Sequence, residues 1–401
     1  MGALRAGAGD GGLTSSANST TRARLVPLGF AAALASLVAL PPVAENHVLV
    51  DSFLGAASSL LLWAAILFAR ARSQGRALRV EVAPKKQHSI QACAQTAIFL
   101  YWGWYWREIY HSAPLILAQI LFAYGFEAIL LWSRRDVYRL GLGPFPVVFS
   151  INLFLWFRPS WFYLQFVMVA VGCAAKELIV WEKDGRRAHV FNPSSFPLAI
   201  ASVGLIATHS TRVTWAPEIA NKPLLAPAIY LVIFLAGLAG QYLFGVATMT
   251  LPAVLTLYGL GVLYFAVTGT HFFVAGYIPV AVFLGMHLLF TDPSTAPRTE
   301  LGRIVFGMLY GAGVMLFAWL LEAAGVPALY DKLLPVPLLN LLVRAIDRAV
   351  RSTPLVRIDP GRLGRGLAPR RRNLVYMGIW AVTFAALTAA HAWEPTLVSP
   401  S

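Results

Sequence analysis

PLILAQILFAYGFEAILLW, residues 114–132, contains one charged residue, Glu127. A helix needs about 20 consecutive, mostly apolar residues to cross the hydrocarbon core of a bilayer, and runs of this kind recur along the chain. They are Leu25–Val43, Phe53–Ala69, Ile90–Trp106, Pro114–Trp132, Phe145–Phe157, Trp161–Trp181, Phe196–Thr208, Ala226–Gly245, Leu251–Thr268, Phe272–Phe290, Ile304–Leu321 and Asn373–Ala390. A weaker run, Val326–Ile346, is broken by Asp331, Lys332, Pro335 and Pro337. Composition agrees: of 401 residues 58% are hydrophobic and 12% charged, and mean hydropathy is +0.65. A soluble domain carries about 25% charged residues, so this chain has too little charge to cover a water-soluble globule of its length. That excludes a disordered chain, a coiled coil and an ordinary soluble enzyme. Long apolar runs also exclude a β-barrel, whose spans alternate over ~10 residues. The expected fold is all-α, a polytopic integral membrane bundle of about 11–13 spans. Residues 1–24 read as a disordered polar tail, 25–350 as the membrane domain, and 351–401 as a basic stretch plus a final transmembrane helix.

The net charge is +14, from 32 Lys and Arg against 18 Asp and Glu. The excess is clustered. Arg70, Arg72, Arg76, Arg79, Lys85 and Lys86 share one loop, Arg134, Arg135 and Arg139 a second, and Lys183, Arg186 and Arg187 a third. These loops alternate with nearly uncharged ones such as 44–51. With the N-terminus cytoplasmic, all three face the cytoplasm, as the positive-inside rule prefers. The arginine-rich stretch Arg344–Arg372 joins them only if Val326–Ile346 crosses; the rival is an interfacial amphipathic helix over Leu333–Val350. The expected location is a bacterial-type plasma (inner) membrane. The lipid bilayer is the first partner, and no nucleic acid is expected. The cluster Tyr101–Trp106 reads as an interfacial aromatic belt.

Two short stretches stand out, Phe191–Asn192–Pro193–Ser194–Ser195–Phe196 and Phe290–Thr291–Asp292–Pro293–Ser294–Thr295. Asn and Asp are strong helix N-caps and Pro is favoured at the first helical position, so each stretch is expected to open a helix. The run after Asn192 is too short for a full span. Broken segments at matching positions of two halves point to a binding site at a repeat interface. The local similarity, about 100 residues apart, fits such a repeat. Free N–H groups at a helix start suit an anionic group such as a phosphate or the edge of a flavin ring. Plain capping at two loop–helix junctions accounts for the same residues.

The second stretch continues as TDPSTAPRTELGRIVFGMLYGAG, residues 291–313. This resembles the TDP-x-T-(S/A)-P…GR-x-x-FG-x-x-x-G signature of the RnfD/NqrB family, membrane subunits of Rnf and of the Na⁺-translocating NADH:quinone reductase. FNPSSF is similar to the FNP segment that precedes it there. The resemblance spans about residues 90–350 and is strongest over the two motifs. It implies a helical bundle with inverted repeats, similar to urea and ammonium channels. It also implies electron transfer through flavin, coupled to Na⁺ or H⁺ movement and carried out with redox partner subunits. Family members attach FMN to a Thr in an SGAT-type motif; here the nearest string is Gly245–Val246–Ala247–Thr248, and Thr248 reads as a packed helix residue. The expected cofactor is therefore FMN or riboflavin held noncovalently. Asn192, Pro193, Ser194, Ser195, Asp292, Pro293, Ser294 and Thr295 would contact it, and Arg298 and Arg303 would balance its charge. A channel or transporter for a small solute, with the same helix starts as its substrate site, is the alternative.

Ionisable residues inside a membrane are expensive and point to function. Glu127 reads as either a helix–helix hydrogen bond or a proton or cation site. His287, one turn before Asp292, is a second candidate for an ion pathway. Lys176 reads as snorkelling to the basic loop, and Glu177 as pairing with it or with a loop arginine. His111, His271, His287 and His391 fall near span ends, which argues against a bis-His haem. Cys93 and Cys173 lie in apolar runs without a CxxC pairing, so no zinc or iron–sulfur site is expected. The sequence holds no nucleotide, metalloprotease or nucleophile-elbow motif.

Overall fold

In the computed structural model, residues 11–183, 185–222, 226–273, 276–352 and 354–393 are described. The main helices are α1 Gly11–Ser36, α2 His47–Ser73, α3 Lys86–Tyr105, α4 Ala113–Trp132, α5 Pro144–Asn152, α6 Tyr163–Leu178, α7 Ser195–Ala207, α8 Ile229–Phe244, α9 Ala247–Thr268, α10 Val280–Leu288, α11 Glu300–Ala323, α12 Pro335–Val350 and α13 Pro369–Ala389. The all-α expectation misses four short strands among the described residues. Strands β1 Arg79–Val82 and β2 Val137–Leu140 pair in parallel, and β3 Val180–Lys183 and β4 Arg186–His189 form an antiparallel hairpin.

Among the described residues four helices, α2, α4, α9 and α11, are long and apolar enough to cross a membrane. Helix α2 shows how they pack. Asn46 opens it, its Oδ1 accepting from the N–H groups of Val48 and Leu49, which satisfies two donors a helix start leaves free. Leu49, Phe53, Ala57, Leu60, Ala64, Leu67 and Ala71 form a buried stripe at three- and four-residue spacing, against α1 and α4. Leu54, Leu61, Leu62 and Ile66 on the other face are exposed. Apolar faces on both sides suit a helix with lipid outside and protein inside.

The basic loops gather at one end of the molecule. Arg76 bonds Asp136 and the Trp132 carbonyl, Arg134 and Arg135 pair with Glu177, and Arg344 reaches the Glu182 carbonyl. At the opposite end Phe157 bridges Thr214, and Arg158 pairs with Glu218. Helix α5 enters from the basic end and stops halfway, and Leu153–Phe157 continue to the opposite end without helix. Helix α10 does the reverse: it enters beside Tyr230, whose hydroxyl bonds the Ile278 carbonyl, and Leu289–Arg298 continue to the basic end. The apolar run Phe145–Phe157 is thus a half-length helix plus an irregular segment, and in Phe272–Phe290 the helix covers only Val280–Leu288.

Contacts repeat in a pattern. Helices α4 and α6 pack together as α9 and α11 do, α3 on α5 as α8 on α10, and α6 on α7 as α11 on α12. Helix α3 packs on α8, and α7 on α12.

Several expectations need correction. The tail was expected to be disordered through residue 24, yet α1 already runs from Gly11; extending an existing helix costs far less than starting one, and no proline interrupts before Pro27. Residues 1–10 lie outside the described residues. Segment Val326–Ile346 does return from the far end of α11 to its start, where Asp347 accepts from Arg298 N. It returns as a turn plus amphipathic α12, with Val336, Leu339, Val343 and Ile346 buried and Leu338, Leu341 and Leu342 exposed. The final helix α13 packs on α8 and α9. Within Tyr101–Trp106, Trp104 and Tyr105 are exposed as a belt requires, but Trp102 is buried and Trp106 stacks on Trp156.

Candidate functional site

The β3–β4 hairpin delivers the chain to Asn192. Its Oδ1 accepts from Ser194 N (2.9 Å), Ser194 Oγ (2.9 Å) and Ser195 N (3.1 Å), and this turn opens α7 as expected. Asn192 Nδ2 donates to the Leu289 carbonyl at 2.8 Å, just past the end of α10. Asn192 N donates to Asn340 Oδ1, and Asn340 Nδ2 to the Thr295 carbonyl. One asparagine therefore ties α7, the α10–α11 connection and α12 together. Gly172 on α6 makes room for the turn, since a Cβ there would overlap the Pro193 carbonyl.

The Asp292 turn behaves differently. Asp292 Oδ1 accepts from Ser294 N at 2.9 Å, and Oδ2 lies 3.0 Å from His189 Nε2 on β4. It opens no helix. Helix α11 begins at Glu300, capped by Thr299 Oγ1, which accepts from Gly302 N. Asn192 precedes a helix and Asp292 follows one, so the two motifs do not occupy equivalent positions.

Both turns border one cavity of about 190 Å³, open toward the basic end. Of the expected site residues, Asn192, Pro193, Ser194, Asp292, Pro293, Ser294 and His287 line it. Ser195 and Thr295 do not; they are fully buried, and their hydroxyls bond back to the Asn192 and Asp292 carbonyls. Arg303 does not either: its guanidinium clamps the Pro297 and Gly245 carbonyls. Arg298 lies outside the lining too, with its backbone N–H on Asp347. Neither arginine is in the cavity lining. Glu127 stands behind the wall, accepting from Lys176 Nζ at 2.8 Å, and Glu177 pairs with Arg134 and Arg135. Thr248 is buried in the first turn of α9, apart from this cavity.

The sequence reading missed His88, Gln91, Ser150, Lys176 and His189, all in the lining. His189 lies three residues before Asn192, the one signal available in the sequence; the others come from distant segments. His88 precedes the apolar run that begins at Ile90. Burial, with the Lys176 and Lys85 ammonium groups beside it, holds its imidazole below the ordinary value and favours the neutral form. His287 Nδ1 faces the Phe283 carbonyl at 2.8 Å. A carbonyl only accepts, so Nδ1 carries the proton; Nε2 is buried without a partner. The cavity thus offers a lysine ammonium, imidazoles and hydroxyls, with the Asp292 carboxylate taken up by His189. That set suits a small polar or anionic group. Among the described residues, no group of three or more His, Cys, Asp or Glu could hold a metal ion. No protein-family model and no curated protein matches the chain.

Proposed function

We propose that the chain is a multi-pass inner-membrane subunit of RnfD/NqrB type, passing electrons between redox partner subunits. The observation that carries this reading is the meeting of its two signature stretches: Asn192 bonds Leu289, and Asn192 and Asp292 border one cavity. The packing pattern supports an inverted repeat in which α3–α7 correspond to α8–α12, with half-helices α5 and α10 entering from opposite ends. The gathered basic loops support a cytoplasmic basic end and a cytoplasmic N-terminus. A reporter fused after Arg372 is expected to read cytoplasmic and one fused after Ala390 periplasmic; the reverse pair would overturn this orientation.

Flavin fits this cavity in part. Lys176 and His88, both in the cavity lining, are the side chains that could donate to the anionic end of FMN. Yet about 190 Å³ is below the ~300–1,000 Å³ of usual small-molecule sites, so the cavity matches that end and not the whole group. When bound, flavin would supply one- and two-electron chemistry; these residues would hold and orient it. Protein purified in detergent is expected to show flavin bands at about 370 and 450 nm, reduced together by Lys176→Met and Asp292→Ala. Folded protein that is colourless and yields no flavin on denaturation would sink the reading. The same small volume favours a second one, passage of a small polar solute between the half-helices. Solute-driven swelling of liposomes holding flavin-free protein would establish that instead.

A further inference from the structure

Helices α9, α11 and α13 begin side by side at the basic end, where Arg303 bonds the Gly245 carbonyl and Arg372 bonds Glu300. Between their first three turns lies a slot of about 390 Å³, within the ~300–1,000 Å³ of usual ligand sites. Leu251, Pro252, Leu255, Ile304, Met308 and Tyr376 are among its walls. The Tyr376 hydroxyl is engaged, since it donates to Glu300 Oε2. Leu255 and Met308 are exposed, so the slot opens on the outer side of the bundle, where lipid lies around a membrane helix. A narrow, mostly apolar slot reached from that side suits a hydrocarbon chain.

Charge beside the slot is a separate sign. Residues 354–372 are fastened there: Arg372 bonds Glu300 and the Gly364 and Leu367 carbonyls, and Asp359 accepts from the Leu301 and Gly361 N–H groups. The segment carries six arginines and one acid, Asp359. Arg357, Arg362, Arg365 and Arg371 are exposed and, among the described residues, in no ion pair. Aliphatic side chains alternate with them. Ile358 follows Arg357, Leu363 stands between Arg362 and Arg365, and both are exposed, as is Leu367. Basic and aliphatic side chains interleaved in this way suit the boundary of a bilayer, where guanidinium groups meet phosphate and leucines enter the acyl layer. An acidic soluble partner would meet the arginines but leave the aliphatic side chains and the slot uncovered.

We propose that the basic end binds an anionic phospholipid, with an acyl chain in the slot between α9, α11 and α13 and its phosphate on the exposed arginines of residues 354–372. The claim is independent of any flavin at the Asn192 cavity. The test titrates phosphatidylglycerol into the full chain in a neutral detergent and counts bound lipid by mass spectrometry of the intact complex. Saturable binding is expected, in preference to phosphatidylcholine and weakened by salt. Arg362→Gln together with Arg365→Gln should weaken it at least about tenfold, from the worth of two arginines beside anionic lipid. Met308→Trp, which fills the slot from an exposed position and spares the core, should weaken it as well. Leu263→Trp, also exposed on α9 but outside the slot, should leave it unchanged. Equal binding of the two lipids, or binding that either the arginine pair or Met308→Trp leaves unchanged in folded protein, would overturn the proposal. Displacement by glycerol 3-phosphate at equal concentration would show a site for soluble phosphate, and tighter binding of polyglutamate than of phosphatidylglycerol a surface for an acidic protein. Either result overturns it too.

Discussion

Gly307→Leu is expected to abolish recovery of monodisperse protein, and Gly311→Ala to lower stability measurably. Both glycines lie on α11 where it packs against α9. A Cβ on Gly307 would overlap the Met249 carbonyl oxygen, and one on Gly311 would come within 2.5 Å of the Ala253 carbonyl oxygen. The obstructing atoms are main chain of α9, so no rotamer change relieves them; one helix must move off the other. Glycines four residues apart that let two backbones touch are a recurrent way to join membrane helices, where the hydrophobic effect between helices is absent. Overpacking a well-packed site by one methyl group typically costs about 1–3 kcal/mol, and a leucine against backbone exceeds that range. Gly259 on α9 is the control. Nothing lies within 4 Å of a Cβ there, and alanine is the better helix former by about 1 kcal/mol, so Gly259→Ala should be neutral or stabilising. Thermal unfolding in detergent reads all three. Equal melting temperatures for Gly311→Ala and Gly259→Ala would show that the close approach does not hold the helices together.

The glycines belong to the GR-x-x-FG-x-x-x-G stretch, so a signature noticed as family resemblance turns out to be a packing device. Much else was visible in the apolar runs, because burial in lipid demands length and hydrophobicity that a linear reading detects. The half-helices were harder. Phe145–Phe157 and Phe272–Phe290 look continuous, since each is apolar well beyond its short helix. Gly143, Pro146 and Val147 recur as Gly276, Pro279 and Val280, and Phe157 and Phe290 follow at the same interval, as the proposed repeat would have them. The more conspicuous likeness of FNPSS to TDPST drew the pairing instead, although those turns stand at opposite ends of their helices. The cavity was legible only through residues with a local signature. Lys176, His88 and Ser150 reach it from separate helices, and nothing in a linear pattern announces a meeting of distant segments. Arg298 and Arg303 failed for the converse reason. Both stand beside the motif in sequence and outside the cavity lining, and the Arg303 guanidinium spends its hydrogen bonds on the Pro297 and Gly245 carbonyls.

The Asn192 turn gives the sharpest test of that cavity's construction. Asn192→Ala removes the acceptor of Ser194 N and Ser195 N and the donor to the Leu289 carbonyl, all in a buried setting. Each buried polar group left unsatisfied costs about 1–3 kcal/mol, so the variant should lose several kcal/mol, with the cavity mouth loosened. Asn192→Asp separates the two halves of the effect. It keeps the acceptor for the turn but cannot donate to Leu289, and it sets a carboxylate near Asp292; α7 should still start correctly while the link to α10 fails. Asn340→Ala removes the acceptor for Asn192 N and the donor to Thr295. Because Asn192 and Asn340 share one network, their losses should combine non-additively, with a coupling of about 0.5–3 kcal/mol in a double-mutant cycle. The pair bridges α7 and α12, the helices that face each other across the proposed inverted repeat. Strictly additive losses would mean that the two halves meet there without depending on each other, and the cavity would then be held by the β3–β4 hairpin and the His189–Asp292 contact.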